Sequence, residues 1–107
     1  MKIKIKEDVA TVITVLHPKL SYATFSFTND GILFVDSDWG FYGHRWPNPG
    51  IPMKDFLISI NEEYFINKLE INHFNETGKK IVNTRKKALS ELFKEFQNYL
   101  KSDGKIL

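Results

Sequence analysis

The sequence predicts an α+β domain: an antiparallel sheet of three to five strands, then two short helices and a long C-terminal helix packed on one face of the sheet. Three observations lead there. Apolar and polar residues alternate with period two through much of the first half, which is the signature of half-buried strands. PNPGIP at 47–52 stops the sheet, because proline cannot donate to a ladder. From about residue 78 the apolar positions recur at a helical period instead.

The elements follow in order. KIKIK at 2–6 alternates, and VATVITVL at 9–16 does so less cleanly. SYATFSFT at 21–28 puts Ala23, Phe25 and Phe27 on one face and Tyr22, Thr24, Ser26 and Thr28 on the other. Asn29-Asp30-Gly31 is a turn signal, with glycine free to take positive φ. ILFVDS at 32–37 and GFYGHRW at 40–46 read as two further strands, and the short connections favour a meander. Gly40 and Gly43 suit a bulge or a close backbone approach. Pro52 can open a short helix, MKDFLISI at 53–60, with Met53, Phe56, Leu57 and Ile60 on one side. Asn61 is placed to cap EEYFINKLE, whose first turn carries Glu62 and Glu63. NHFNETG at 72–78 reads as a loop. The last helix spans roughly 78–101, its core face made by Ile81, Val82, Ala88, Leu89, Leu92, Phe93, Phe96, Tyr99 and Leu100. Gly104 marks its end.

Composition narrows the function. A chain of 107 residues with 42% hydrophobic and 14% aromatic residues is expected to fold as one domain, 1–107. It has no cysteine, which excludes disulfides, thiol catalysis and cysteine-ligated zinc and suits a reducing cytoplasm. MKIKIKEDV is charged rather than continuously apolar, so no secretory signal is expected. No apolar run is long enough for a membrane span. Residues 1–76 hold seven Lys or Arg against ten Asp or Glu, a balance of −3, whereas 77–107 hold eight against three, a balance of +5. The two parts therefore offer different surfaces to partners.

Asp36 and Asp38 with His44 raise a metal site, since carboxylates two apart in a strand share a face. A strong site takes three or four ligands at recognisable spacing, and His17 and His73 belong to no motif. There is neither a Gly-rich phosphate loop nor a nucleophile elbow. The expectation is a protein that is not an enzyme and holds no metal or cofactor.

DSDWGFYGHRWPNPG at 36–50 is the densest stretch. Extended, it puts Trp39, Phe41 and Arg45 on one side and Tyr42, His44 and Trp46 on the other. A sheet covered on one face cannot hide both sets, and Trp, Tyr and Arg dominate protein interfaces. The expected partner-binding residues are Asp36, Asp38, Tyr42, His44, Arg45 and Trp46. The alternative is nucleic-acid binding by Lys80, Lys87, Lys94 and Lys101, which recur every seven residues and so drift only about 20° per repeat on a helix. Arg85 falls inside the apolar arc and is expected to reach Asp36 or Asp38 as an ion pair, with binding of an anionic ligand as the alternative. A homo-oligomer or homodimer with the aromatic patch as its contact is a third reading. No membrane partner is expected.

Residues 37–69 also resemble a recurrent family of small bacteriophage and prophage proteins. The pattern S-D-x-G-x-x-x-x-R-W falls on Ser37, Asp38, Gly40, Arg45 and Trp46. F-L-x-S-[IL]-x-x-x-Y-x-x-x-K-[LF] follows on Phe56, Leu57, Ser59, Ile60, Tyr64, Lys68 and Leu69. The chain departs at Pro47, where that family often has glycine. The resemblance implies a viral or mobile-element origin, action in the bacterial host cell, and no catalytic residues. Small cysteine-free phage proteins of this kind often act by binding. The anti-CRISPR proteins, which block a Cas effector complex, are similar in kind. The expected function is therefore inhibition of a host defence or nucleic-acid-handling protein or ribonucleoprotein.

Overall fold

The computed structural model describes residues 2–102. Four strands form an antiparallel meander in chain order: β1 (Thr11–His17), β2 (Ser21–Phe27), β3 (Ile32–Ser37) and β4 (Gly40–Arg45). Three helices follow: α1 (Met53–Ser59), α2 (Glu62–Thr77) and α3 (Asn83–Lys101). They pack on one face of the sheet, giving two layers around one core.

The strand alternation sets that core. Ala23, Phe25 and Phe27 are buried, as are Leu33 and Val35 opposite them. From the helical side come Met53 and Leu57 of α1, Phe65, Ile66 and Leu69 of α2, and Leu89, Leu92, Phe93, Phe96 and Leu100 of α3. Four phenylalanines interlock at the centre. Phe25 stacks on Phe96 at 4.2 Å between ring centres, and Phe65 on Phe93 at 3.8 Å. Such pairs add roughly 0.5–1.5 kcal/mol each beyond the area they bury.

The turns use the residues the chain supplies. Thr28 accepts from the Gly31 N–H, and Gly31 takes φ +97°. Its carbonyl then accepts from the Trp46 N–H at 2.9 Å. A Cβ at Gly31 would lie 2.0 Å from the Trp46 carbonyl oxygen, so only glycine fits. Asn61 caps α2 by accepting from the Tyr64 N–H at 2.8 Å. Gly78, left-handed at φ 72°, ends α2 by donating to Phe74 O. Gln97 of α3 is buried and donates to Leu57 O at 2.9 Å and Ile60 O at 2.6 Å, tying α3 to the last turn of α1.

Three expectations need correction, and of the two readings of Gly40 and Gly43 the close approach holds. Residues 2–6 pair with nothing and belong to no strand, because β1 begins at Thr11 and the chain before it lies exposed. Residues 72–77 continue α2 rather than forming a loop, so the second helix has 16 residues and is not short. Asn72 and His73 keep that last stretch on β4, through a hydrogen bond to Gly43 O and a ring contact with Tyr42. The last helix starts at Asn83, leaving Lys79, Lys80, Ile81 and Val82 in the connection, with Val82 exposed rather than on the core face. No bulge interrupts β4, whose register against β3 is continuous from Gly40 to Arg45. Gly43 instead makes room for the Phe34 ring, which a Cβ there would approach to 3.1 Å. Gly104 lies outside the described residues.

Candidate functional site

The helices cover one sheet face and leave the other open. Strand parity assigns the open face Val12, Thr14 and Leu16 of β1, Tyr22, Thr24 and Ser26 of β2, Ile32, Phe34 and Asp36 of β3, and Phe41, Gly43 and Arg45 of β4. Phe34 and Phe41 stack there at 6.1 Å while remaining 48% and 67% exposed. Val12 and Leu16 are exposed on the same face. Asp36 sits directly across from Phe41, and the Tyr22 hydroxyl donates to Asp36 at 3.4 Å. Partial desolvation raises the Tyr22 phenol above its ordinary value, and the Asp36 and Asp38 charges push it the same way.

Of the expected interaction residues, this placement puts Tyr42 and Trp46 inside and leaves His44 half-buried. Tyr42 and Trp46 are 4% and 7% exposed and face the helices. Both can bury because their polar tips find partners. Tyr42 Oη donates to Trp39 O at 2.7 Å, and Trp46 Nε1 donates to Tyr64 Oη at 3.1 Å. His44 lies on the same inner side, edge-on to Trp46 at 4.5 Å, with its Nδ1 3.0 Å from Asn72 Nδ2. Burial is the main cause lowering its basicity, and nearby Lys68 adds to it, while the Asn72 contact opposes them. Asp36, Asp38 and Arg45 are exposed. Asp38 occupies the β3–β4 turn, while Asp36 and Arg45 belong to the open face. Asp36 and His44 therefore lie on opposite sheet faces. Among the described residues no group of three His, Asp or Glu side chains is arranged to hold a metal ion.

Phe34 and Phe41 are the residues the sequence reading did not single out as a pair. The signal was present, since both occupy the parity opposite to Val35 and Tyr42 across β3 and β4. They border a depression of about 620 Å³ that continues over the strand edge to Asn72, Asn75 and Glu76 of α2.

A second surface collects cations. His73, Thr77, Lys79, Lys80 and Arg85 line a cleft of about 450 Å³ where α2 hands over to α3. Among the described residues Lys79 and Arg85 have no carboxylate partner, Lys80 acts on Glu70 without a short ion pair, and the first turn of α3 carries no acid. The expected bond from Arg85 to Asp36 or Asp38 does not form, because α3 packs on the face away from Asp36. Of the lysine row, Lys87, Lys94 and Lys101 are exposed on α3, whereas Lys80 precedes the helix. Lys94 pairs loosely with Glu62 at 3.6 Å. Glu70 staples the connection, accepting from the Ile81 N–H at 3.0 Å and pairing with Lys86 at 2.9 Å. The Lys86 hydrogen bond is the main reason its carboxyl is held below the ordinary value.

The residues of the phage-like pattern are mostly scaffold. Ser37 Oγ donates to Gly40 O, Trp46 meets Tyr64, Lys68 lies over the Tyr64 ring at 5.2 Å, and Leu57 and Leu69 are buried. Asp38 and Arg45 are its exposed charged members. Among the described residues no helix is long and apolar enough to cross a membrane. No curated protein and no solved structure matches the chain. The model of a phage family, Phage_phiTE_072, matches residues 1–104, nearly the whole length, and extends the phage resemblance well beyond residues 37–69. The chain belongs to that phage family.

Proposed function

We propose that this phage protein is a non-enzymatic binding module that inhibits a host defence or nucleic-acid-handling protein by docking through the open face of its sheet. The observation that carries the reading is the stacked, solvent-exposed Phe34–Phe41 pair on a face no helix covers. Exposed aromatic pairs cost solubility, and their natural use is as anchors in a partner's pocket. Asp36 and Asp38 add carboxylates on that face and at the β3–β4 turn, and Arg45 adds a cation beside the pair. An aromatic centre with charged groups around it is the composition of a protein-docking surface, and a host nucleic-acid-handling protein, of which a Cas effector complex is one instance, is the partner we propose.

The test is a plaquing assay in bacteria that carry defined defence systems, Cas effectors among them. Expression of the wild-type protein should restore plaquing against one system, and purified protein should bind its effector. Phe41→Asp should abolish both while the circular dichroism spectrum stays unchanged. Retention of inhibition by a folded Phe34→Asp/Phe41→Asp variant refutes the assignment of this face.

The cationic cleft favours a second reading, direct contact with an anionic polymer. Three cations without short ion pairs, beside a helix whose first turn holds no acid, attract phosphate. Fluorescence polarisation with labelled single- and double-stranded DNA and RNA tests it. Binding should fall steeply with salt and be lost in Lys80→Glu/Arg85→Glu.

A further inference from the structure

The segment before β1 has the pattern of a strand and no partner. Lys2-Ile3-Lys4-Ile5-Lys6 alternates with period two, yet Ile3 and Ile5 are 85% and 92% exposed. The segment runs directly into β1 at Thr11; residues 2–10 contain no Gly, Pro or Asn, and the Asp8 carboxylate is taken up by the adjoining Val9 N–H. It does not fold back on the β1 of its own chain.

The two edges of the sheet are treated differently. On β4, Asn72 occupies the outward-facing Gly43 carbonyl at 2.5 Å. On β1, TVITVLH carries no lysine, proline or bulge, the usual guards of a free edge. The hydrogen bond from Thr28 N to Ile32 O sets the ladder's alternation, so that Val12, Thr14 and Leu16 point their N–H and C=O groups away from β2. Ile13 and Val15 are only partly buried. Ile13 lies beside a groove of about 380 Å³ that Phe27 and Leu100 also line.

We infer that residues 2–8 pair antiparallel with β1 of a second copy of this chain, giving a twofold dimer with one continuous sheet. A long strand from Lys2 to His17 then meets its own copy, and the match is self-complementary. With the twofold axis at Val9, Ile5 faces Ile13 of the second copy and Ile3 faces its Val15, both on the helical side. Lys2, Lys4 and Lys6 fall on the open face, where their stems lie along Leu16, Thr14 and Val12 of the second copy. The arm thus supplies the apolar cover that the unguarded edge lacks, and the edge supplies the hydrogen bonds the arm lacks.

The absence of cysteine gives a direct test. Across the axis, Val9 faces its copy in a pair without mutual hydrogen bonds, with Cα atoms about 4.5 Å apart, inside the range a disulfide spans. Multi-angle light scattering in the micromolar range should give twice the chain mass, and Ile3→Asp/Ile5→Asp should give the monomer with an unchanged circular dichroism spectrum. Val9→Cys should oxidise to a covalent dimer, and the same substitution in the double-Asp background should leave the thiol reduced. A monomer across the concentration range, or a dimer indifferent to the Asp substitutions, overturns the exchange. An arm-dependent dimer in which the Val9→Cys thiol stays reduced overturns the twofold axis at Val9.

Discussion

Gln97 is the buried polar side chain on which the helical layer turns. Its Nε2 reaches Leu57 O at 2.9 Å and Ile60 O at 2.6 Å, with Ile58 O at the margin of 3.5 Å. Replacing it with leucine keeps most of the volume and removes the donor. Leu57 is fully buried, so its carbonyl has little access to water, whereas Ile60 is half-exposed and recovers part of its loss. Leaving a buried acceptor unpaired costs about 1–3 kcal/mol, and the weaker loss at Ile60 brings the total to about 3 kcal/mol. A chain of 107 residues unfolds with an entropy of about 0.22 kcal/mol/K. Gln97→Leu should therefore lower Tm by roughly 13 °C. Urea unfolding followed by tryptophan fluorescence suits the measurement, because Trp39 and Trp46 report on the sheet and its contact with the helices. The midpoint should fall with the slope unchanged. A variant within about 0.5 kcal/mol of wild type, the range of an ordinary surface change, would show that α1 is not held by this amide.

Two further substitutions probe other parts of the frame. Glu70 has its carboxyl held below the ordinary 4.5 chiefly by Lys86, so its contribution is full above that value and is lost as pH falls through the lower folded value. Glu70→Gln should be less stable than wild type at pH 7, and the gap should narrow as pH falls below the ordinary 4.5; a gap that widens on acidification contradicts the pairing. Gly40 has φ +118°, and a Cβ there would lie 2.5 Å from Tyr42 Oη. Gly40→Ala should cost about 1–3 kcal/mol in urea unfolding, and a neutral result would mean that the β3–β4 turn relaxes freely.

Much of the fold could be read from the residues alone. The alternation of 21–28 is the burial pattern of β2, Asn61 is the cap of α2, and the apolar row from Ala88 to Leu100 is the buried side of α3. The open face was harder to read. Parity sorts Tyr42 and Trp46 from Phe41 but does not say which set meets the helices. Aromatic polarity points the wrong way here. The two rings with polar tips are buried because Trp39 O and Tyr64 Oη receive them, and the purely apolar Phe41 is outside. Residues 72–77 read as a loop because Asn, His and Thr are weak helix formers, and contacts across to Gly43 and Tyr42 override that preference. Arg85 looked buried by periodicity, but α3 has barely begun there and its first turn overhangs the core. Gln97 could not be told from a surface glutamine, since its partners lie some forty residues earlier in the chain.

The meander has a consequence for synthesis. Each strand pairs with the one made just before it, so the sheet can zip up hairpin by hairpin as the chain leaves the ribosome. Its greasy side has no complete lid at that stage, because Phe93 and Phe96 arrive on the final helix. Until those last turns emerge, Phe25 has only Phe65 of α2 against it, and a message cut short before residue 93 would release a sticky half-product for the host's chaperones and proteases.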